Sequence, residues 1–281
     1  MMRITKKNWK HLAFTSASLL IGASQLLACT ANAQEARSVA FPDKYMIRLG
    51  SYFVSRADTD ITVLSSGGTG GGISFSKDLG GETTDSVPRI DGYYRFNNRH
   101  RLEFGSFTVD RKGLKTLTVD LDIGDDNFVV NDTLVSNIKY TTTKIGYAYS
   151  FYHSPKVELS LGGGLNITDY NLSYALDSGA SANARGVTAP LPIFGLQMAY
   201  AISPKWSVRY ISESFFIEIE DKLKGTLLNY ELDIEYKVFK NFAIGAGITR
   251  VSTNLKVNDD DWRGGFDESH RGALLYGSFY F

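Results

Sequence analysis

Apolar and polar residues alternate with a period of two along most of the chain after residue 44. Between residues 226 and 238 the even positions are largely apolar, as at Leu232 and Ile234, and the odd positions are largely polar, as at Glu231 and Asp233. A period of two places successive side chains on opposite faces of a β-strand. A soluble sandwich could contain one such strand, but here the pattern recurs along the whole chain, which favours a sheet with one entirely apolar face.

The alternation and the turn residues together predict ten antiparallel strands, with eight as the alternative. The predicted strands cover residues 44–63, 85–96, 101–112, 133–151, 156–172, 190–202, 206–220, 225–239, 242–257 and 270–281. Short polar turns at 97–99, 153–155, 203–205 and 240–241 alternate with connections at 65–84, 109–133, 173–189, 221–225 and 258–269, most of them long. Short turns at one end and long loops at the other are typical of a single outer-membrane β-barrel, and an even strand number places both termini in the periplasm.

Residues 1–33 have the pattern of a secretory signal peptide. A basic segment is followed by an apolar stretch, and small residues then stand at Ala31 and Ala33. Signal peptidase cleaves after such a small-x-small pattern, so we expect the mature chain to begin at Gln34. The alternative is lipidation of Cys29, because residues 26–29 (LLAC) resemble a lipobox.

Cleavage after Ala33 divides the chain into a signal peptide at 1–33, a short periplasmic lead at 34–43 and the barrel at 44–281. The whole chain has 30 basic and 30 acidic residues, but the first 33 residues hold four basic and no acidic ones, which leaves 26 basic against 30 acidic. A mildly acidic protein is a poor ligand for polyphosphate, so we expect no nucleic-acid partner. Aromatic residues make up 13% of the chain, and many lie beside the short turns, where a membrane interface favours them.

Charged residues on the polar faces of the strands predict a polar network inside the barrel. The predicted lumen set contains seven basic and seven acidic residues: Arg48, Arg89, Asp91, Arg95, Arg101, Glu103, Lys144, Glu158, Arg209, Glu213, Glu231, Asp233, Glu235 and Lys237. Ten strands enclose a narrow interior, and buried charges must be paired. We therefore expect an ion-paired plug, and a narrow gated channel for a small hydrophobic or ionic solute is the alternative.

Several segments resemble small outer-membrane β-barrel proteins. The unit 92–105 (GYYRFNNRHRLEFG) resembles a hairpin of that superfamily, and 162–167 and 195–206 are similar to hairpin elements of the outer membrane protein W family, which usually has eight strands. The resemblance implies that the final segment YGSFYF, with Tyr276, Phe279 and Phe281, is recognised by the barrel-assembly machinery. It also implies outer-membrane lipid and lipopolysaccharide as partners in a Gram-negative envelope.

An outer-membrane enzyme, or an adhesin or other binding barrel, is the alternative function. Some barrels carry protease or lipid-A-modifying sites at the outer rim, and here Asp267, Glu268, Ser269 and His270 are predicted near that rim. The sequence contains no Ser/His/Asp spacing motif, so we expect no catalytic site, no metal site and no cofactor. The expected role is structural or that of a narrow channel, with loops exposed at the cell surface.

Overall fold

The computed structural model describes residues 44–64, 70–123, 126–178, 183–219, 222–258 and 263–281. The predicted signal peptide, its cleavage position and the periplasmic lead lie outside the described residues. The described part of the chain contains no helix long and apolar enough to cross a membrane.

Thirteen strands are found in the described residues. They are β1 (Tyr45–Leu64), β2 (Gly70–Ser74), β3 (Asp85–Arg95), β4 (His100–Thr116), β5 (Leu121–Ile123), β6 (Asp126–Phe128), β7 (Thr133–His153), β8 (Val157–Leu176), β9 (Asn183–Ala201), β10 (Trp206–Ile219), β11 (Leu223–Phe239), β12 (Phe242–Asn258) and β13 (Arg263–Tyr280). Strands β5 and β6 form a separate small hairpin, and β2 pairs with β1.

The other ten strands form a closed antiparallel barrel. Each pairs with its neighbour along the chain, and β13 closes the barrel by pairing with β1, from Met46 opposite Tyr280 to Val63 opposite Gly264. The ladder between β9 and β10 is shorter than these strands and runs from Ala201 opposite Ser207 to Phe194 opposite Ser214. The prediction of ten antiparallel strands is confirmed, and the eight-strand alternative is wrong.

One half of the barrel wall carries an apolar outer surface. This half adjoins the tight turns, and we call it the turn end. Its outward, exposed apolar side chains include Ile47, Leu49, Ile90, Leu102, Phe104, Ile145, Leu161, Leu165, Phe194, Leu232, Ile234, Ile244, Ile248, Leu275 and Phe279. Such a continuous apolar surface faces the hydrocarbon of a bilayer.

Aromatic pairs lie near the edge of this surface beside the tight turns. The rings of Tyr45 and Tyr94 stack with centroids 4.9 Å apart, and those of Trp206 and Tyr236 are 4.8 Å apart. Amphipathic rings favour the water interface of a membrane. These pairs therefore mark the boundary of the apolar surface at the turn end.

The two faces of the wall exchange character towards the opposite end, which we call the loop end. On β8 the outward positions change from Leu161 and Leu165 to Asp169 and Asn171, while the inward side chain of Tyr174 is buried. A wall that stands in water on the outside can keep an apolar core on the inside. The strands therefore continue beyond the membrane as a barrel with the patterning of a soluble protein.

This extension corrects the predicted loops. Most of 258–269 belongs to β13, and much of 173–189 belongs to β8 and β9. Asp267, Glu268 and Ser269 were predicted within the connection 258–269, but they are in β13, as His270 is.

A segment between β1 and β3, residues 73–84, completes the wall at the loop end. We call it the inner tab. Strand β3 is short, and beyond it the tab bonds to both neighbouring strands: the amide of Phe75 donates to the carbonyl of Thr59 at 2.8 Å, and that of Glu82 to Lys112 at 2.9 Å. The close approach requires glycine at Gly113, because a Cβ there would lie 2.4 Å from the carbonyl oxygen of Leu79.

Apolar side chains fill the interior of the loop end. The larger group joins the inner tab to the wall and to the connection between β4 and β7: Tyr52, Val54, Ala57, Ile73, Phe75, Leu79, Val87, Val109, Leu117, Phe128, Leu134, Ile138, Tyr140, Tyr174, Leu274 and Tyr276. A second group contains Leu191, Ile193, Phe215, Leu227 and Leu255. Tyr170 packs against both groups, so apolar contacts extend across the barrel.

Candidate functional site in the barrel interior

Arg48 is the centre of the first ion-pair network. Its guanidinium donates to Asp91 at 2.6 Å, to Glu231 at 2.9 Å and to Asp233 at 2.9 Å. Arg48 and Asp91 lie on the paired strands β1 and β3, but the other two carboxylates are on β11, beyond β13 and β12 in the wall. These bonds therefore cross the lumen instead of following the wall.

Two further arginines complete the first network. Arg89 donates to Glu231 at 2.8 Å and to Asp91 at 3.0 Å. Arg209 donates to Asp233 at 2.5 Å and to Glu231 at 3.2 Å. Three arginines thus share three carboxylates, so the formal charges balance, as a weakly hydrated interior requires.

The second network lies on the other side of the lumen. Glu158 accepts bonds from Arg95 at 2.8 Å and from Arg101 at 2.9 Å. Arg101 also donates to Glu103 at 2.8 Å, and Lys144 bonds Glu213. Arg95 lies on β3 and Glu158 on β8, with β4 and β7 between them in the wall, and Lys144 on β7 reaches Glu213 on β10 past β8 and β9. This network therefore also spans the interior.

All fourteen side chains of the predicted lumen set lie on the inner face of the barrel. Twelve take part in the two networks. Of the other two, Glu235 accepts a bond from Ser278 at 2.7 Å, and the Lys237 ammonium lies 5.3 Å from the ring centroid of Tyr280. The sequence alternation therefore places these residues together, although it does not say which partners meet across the lumen.

Gln197 is a lumen residue that the sequence analysis missed. Its carbonyl oxygen accepts a bond from Arg101, and its amide nitrogen donates to Glu103 at 2.9 Å. The neutral amide therefore bonds both to a cation and to an anion without adding a charge to the lumen. Its position on the polar side of the 195–203 alternation was the available signal.

The networks separate two small cavities. The one towards the turn end has a volume of about 130 Å³, and residues from the β9–β10 turn, including Pro204, line it. The one towards the loop end has a volume of about 110 Å³, and Tyr52, Phe107 and His270 are among its lining residues. Each cavity can hold a few water molecules, and both are far smaller than a drug-sized ligand site.

Arg111 ties the apolar core of the loop end together. It is fully buried, and its guanidinium donates to the carbonyl of Glu82 at 2.7 Å and to the hydroxyl of Thr59 at 2.8 Å. The guanidinium also lies 5.0 Å from the ring centroid of Phe75. Arg111 therefore fixes the inner tab to β1 and β4. The sequence of β4 does not indicate that Arg111 makes these contacts.

Glu268 and His270 form a buried pair within the loop end. His270 Nδ1 lies 3.4 Å from Glu268 Oε1, and both side chains are less than 5% exposed. The ring of His270 is 5.7 Å from that of Tyr52. The acid is on the same strand as the histidine, and no nucleophile bonded to His270 is found among the described residues.

Metal-binding side chains do not cluster in the described part of the chain. It contains no group of three or more His, Cys, Asp or Glu side chains arranged to hold a metal ion. In the connection between β4 and β7, Asp120 accepts a bond from the amide of Val130 at 2.8 Å.

Comparison with solved structures identifies the architecture. The outer membrane protease OmpT from Escherichia coli superposes with a TM-score of 0.53 at 11% sequence identity, over 86% of this chain and 98% of that one. The protein folds as an outer-membrane β-barrel. At this identity the similarity concerns the fold alone.

More distant similarities involve barrels with other activities. The attachment invasion locus protein Ail of Yersinia pestis gives a TM-score of 0.36 at 12% identity, over 84% of this chain and 99% of that one. The toluene transporter TodX of Pseudomonas putida gives 0.36 at 11% identity, over 85% and 91%. No protein-family profile and no curated sequence matches the chain.

Proposed function

We propose that this protein is a plugged outer-membrane barrel that presents its loop end at the cell surface, and that it does not conduct solutes. The observation that carries the proposal is the closure of the interior: ion pairs cross the lumen on both sides, and apolar side chains fill the loop end. Unpaired charge in a narrow, weakly hydrated interior is costly. Opening the lumen would therefore break many bonds together.

The proposed orientation places both termini in the periplasm. The short turns need no space beyond the membrane, and the extended half has a polar outer surface suited to the cell exterior. Membership of the outer membrane protein W family belongs to this proposal too, supported by the segments at 162–167 and 195–206. The proposal assigns no catalytic role, because the histidine and acid of β13 are buried side by side.

Single-channel recording of the refolded barrel in a planar bilayer tests the closed lumen. We expect insertion without a steady ohmic current, while an open porin in the same bilayer provides the positive control. A stable, voltage-independent conductance of the wild-type protein would contradict the proposal and favour the narrow-channel alternative.

A binding role at the cell surface is the second candidate, and an exposed apolar patch favours it. Leu114 and Val135 are paired across β4 and β7 at the loop end, and Val119, Val129 and Val130 in the connection between these strands are also exposed. Apolar patches outside a membrane often mark interaction surfaces.

Attachment of expressing cells to an octyl-coated surface tests this role. We expect Leu114→Ser/Val135→Ser to lower attachment and the matched outward pair Lys112→Ser/Asn137→Ser to leave it unchanged. Equal attachment of both variants and the wild type would refute a binding role for this patch.

A further inference from the structure

Three arginines form a row on the outer wall where the barrel closes. Arg56 on β1 is paired directly with Arg271 on β13, which in turn is paired with Arg250 on β12. All three side chains point outward and are exposed. We call this group the arginine row.

The arginine row lies at the boundary of the lipid-facing surface. The preceding outward residues towards the turn end include Phe53, Ala273 and Ile248, and all three are apolar. The next outward residues towards the loop end are polar: Ser252 on β12, Ser269 on β13 and the acidic Asp58 on β1. On three adjacent strands, the arginine is thus the first charged group beyond the hydrocarbon layer, at the depth of lipid headgroups.

Direct cross-strand pairing of like charges destabilises a sheet. Arg56 has a partner in Asp58, whose carboxylate lies 3.0 Å from its Nε, and both side chains are exposed. Arg250 and Arg271 form no salt bridge with the described residues. An anion placed between the guanidinium groups would remove this repulsion.

Strands β4, β7 and β8 do not repeat the arrangement. Beyond the apolar surface, the outward residues of β4 are Ser106 and Thr108, those of β7 are Thr143 and Thr141, and that of β8 is Asp169. The row is therefore a local feature of the closing strands and not a uniform basic belt. Neighbouring strands lie about 4.8 Å apart, so the row spans about 10 Å.

We propose that the arginine row binds the phosphate groups of an outer-leaflet lipid, of the kind carried by lipopolysaccharide. Guanidinium groups recognise phosphate through paired, charge-assisted hydrogen bonds. Tyr230 on β11, paired with Arg250, extends the row with an amphipathic ring suited to the same interface. The site is on the outer wall, so it does not depend on whether the lumen conducts.

Native mass spectrometry of the detergent-solubilised barrel tests the site with purified lipid A as the probe. We expect the wild type to bind bisphosphorylated lipid A more tightly than the same lipid after dephosphorylation. Arg250→Gln/Arg271→Gln should weaken binding of the phosphorylated lipid at least about tenfold, because two charge-assisted contacts are lost. Arg250→Lys/Arg271→Lys keeps the charge but not the paired geometry, so its affinity should be intermediate.

The matched control is Lys112→Gln/Lys139→Gln, which removes two exposed outward cations from β4 and β7. We expect this variant to bind lipid A as the wild type does. Competition with excess inorganic phosphate separates the two sources of the ligand: full displacement assigns the site to free phosphate, and retention assigns it to the lipid.

Besides full displacement by inorganic phosphate, two results would overturn the proposal. One is equal affinity of the wild type for phosphorylated and dephosphorylated lipid A. The other is an equal loss of binding in the arginine and lysine variants, which would reduce the effect to net charge. Unchanged far-UV circular dichroism and unchanged heat-modifiable gel mobility establish that each variant is folded.

Discussion

Replacing Glu231 with glutamine tests whether the cross-lumen network stabilises the barrel. The Glu231 carboxylate is 2% exposed and accepts bonds from Arg48 at 2.9 Å, Arg89 at 2.8 Å and Arg209 at 3.2 Å. Glutamine preserves the shape but leaves three arginines with two carboxylates. Removing one partner from a buried ionic group costs about 3–5 kcal/mol, since a charge is left uncompensated.

The matched control is Glu218→Gln, the same substitution in an exposed pair. Glu218 Oε1 lies 3.2 Å from Lys224 Nζ, and about half of each side chain is exposed. Exposed pairs contribute about 0–1 kcal/mol. The measurement is reversible unfolding in lipid vesicles by denaturant titration. If Glu231→Gln lowered the unfolding free energy no more than Glu218→Gln, the ion pairs would not stabilise the closed lumen.

Three further predictions concern the lipid face, assembly and processing. Leu161→Arg, in the middle of the apolar surface, should cost about 2–4 kcal/mol of folding free energy in vesicles, whereas Asn171→Arg on the same face of β8 should cost almost nothing; equal costs would refute the assigned boundary. Deleting Phe281, whose backbone pairs with Tyr45 through bonds of 2.9 and 3.0 Å, should leave protease-sensitive protein in the periplasm, and normal outer-membrane levels would contradict this. Intact mass should show a mature chain starting at Gln34, and a lipidated Cys29 would refute that.

The strand number and the polar lumen were predictable because the period of two persists in every strand. Where the wall faces lipid, apolar residues such as Leu232 indicate the outer face and charged residues such as Glu231 indicate the inner face. A register error of one residue would exchange the two faces. The fourteen lumen residues follow from that rule alone, without knowledge of their partners.

The loop-end extension could not be predicted in the same way. Alternation continues there, but the inner face becomes apolar and the outer face polar. On a strand such as β8, neither face is therefore apolar or polar along its whole length, and the strand is difficult to recognise from the sequence. The lengths of β9 and β13 were underestimated for this reason. Glu268 was assigned to a loop, although it lies on the inward face of a strand.

Contacts across the lumen also lie beyond the reach of sequence reasoning. Arg48 and Glu231 are 183 residues apart, and only closure of ten strands brings them together. The inner tab is a similar case, because Arg111 reaches carbonyl groups whose positions depend on the tertiary fold.

Cysteine labelling in intact cells tests most directly whether the loop end is displayed outside the membrane. The one cysteine of the chain, Cys29, lies in the predicted signal peptide, so single substitutions can report without background. A membrane-impermeant thiol reagent should label Asn171→Cys in intact cells, and should label Asn98→Cys, in a tight turn, only after the outer membrane is permeabilised. Leu165→Cys, which faces lipid, should resist the reagent in both conditions. Labelling of Asn98→Cys in intact cells, together with protection of Asn171→Cys, would contradict the account.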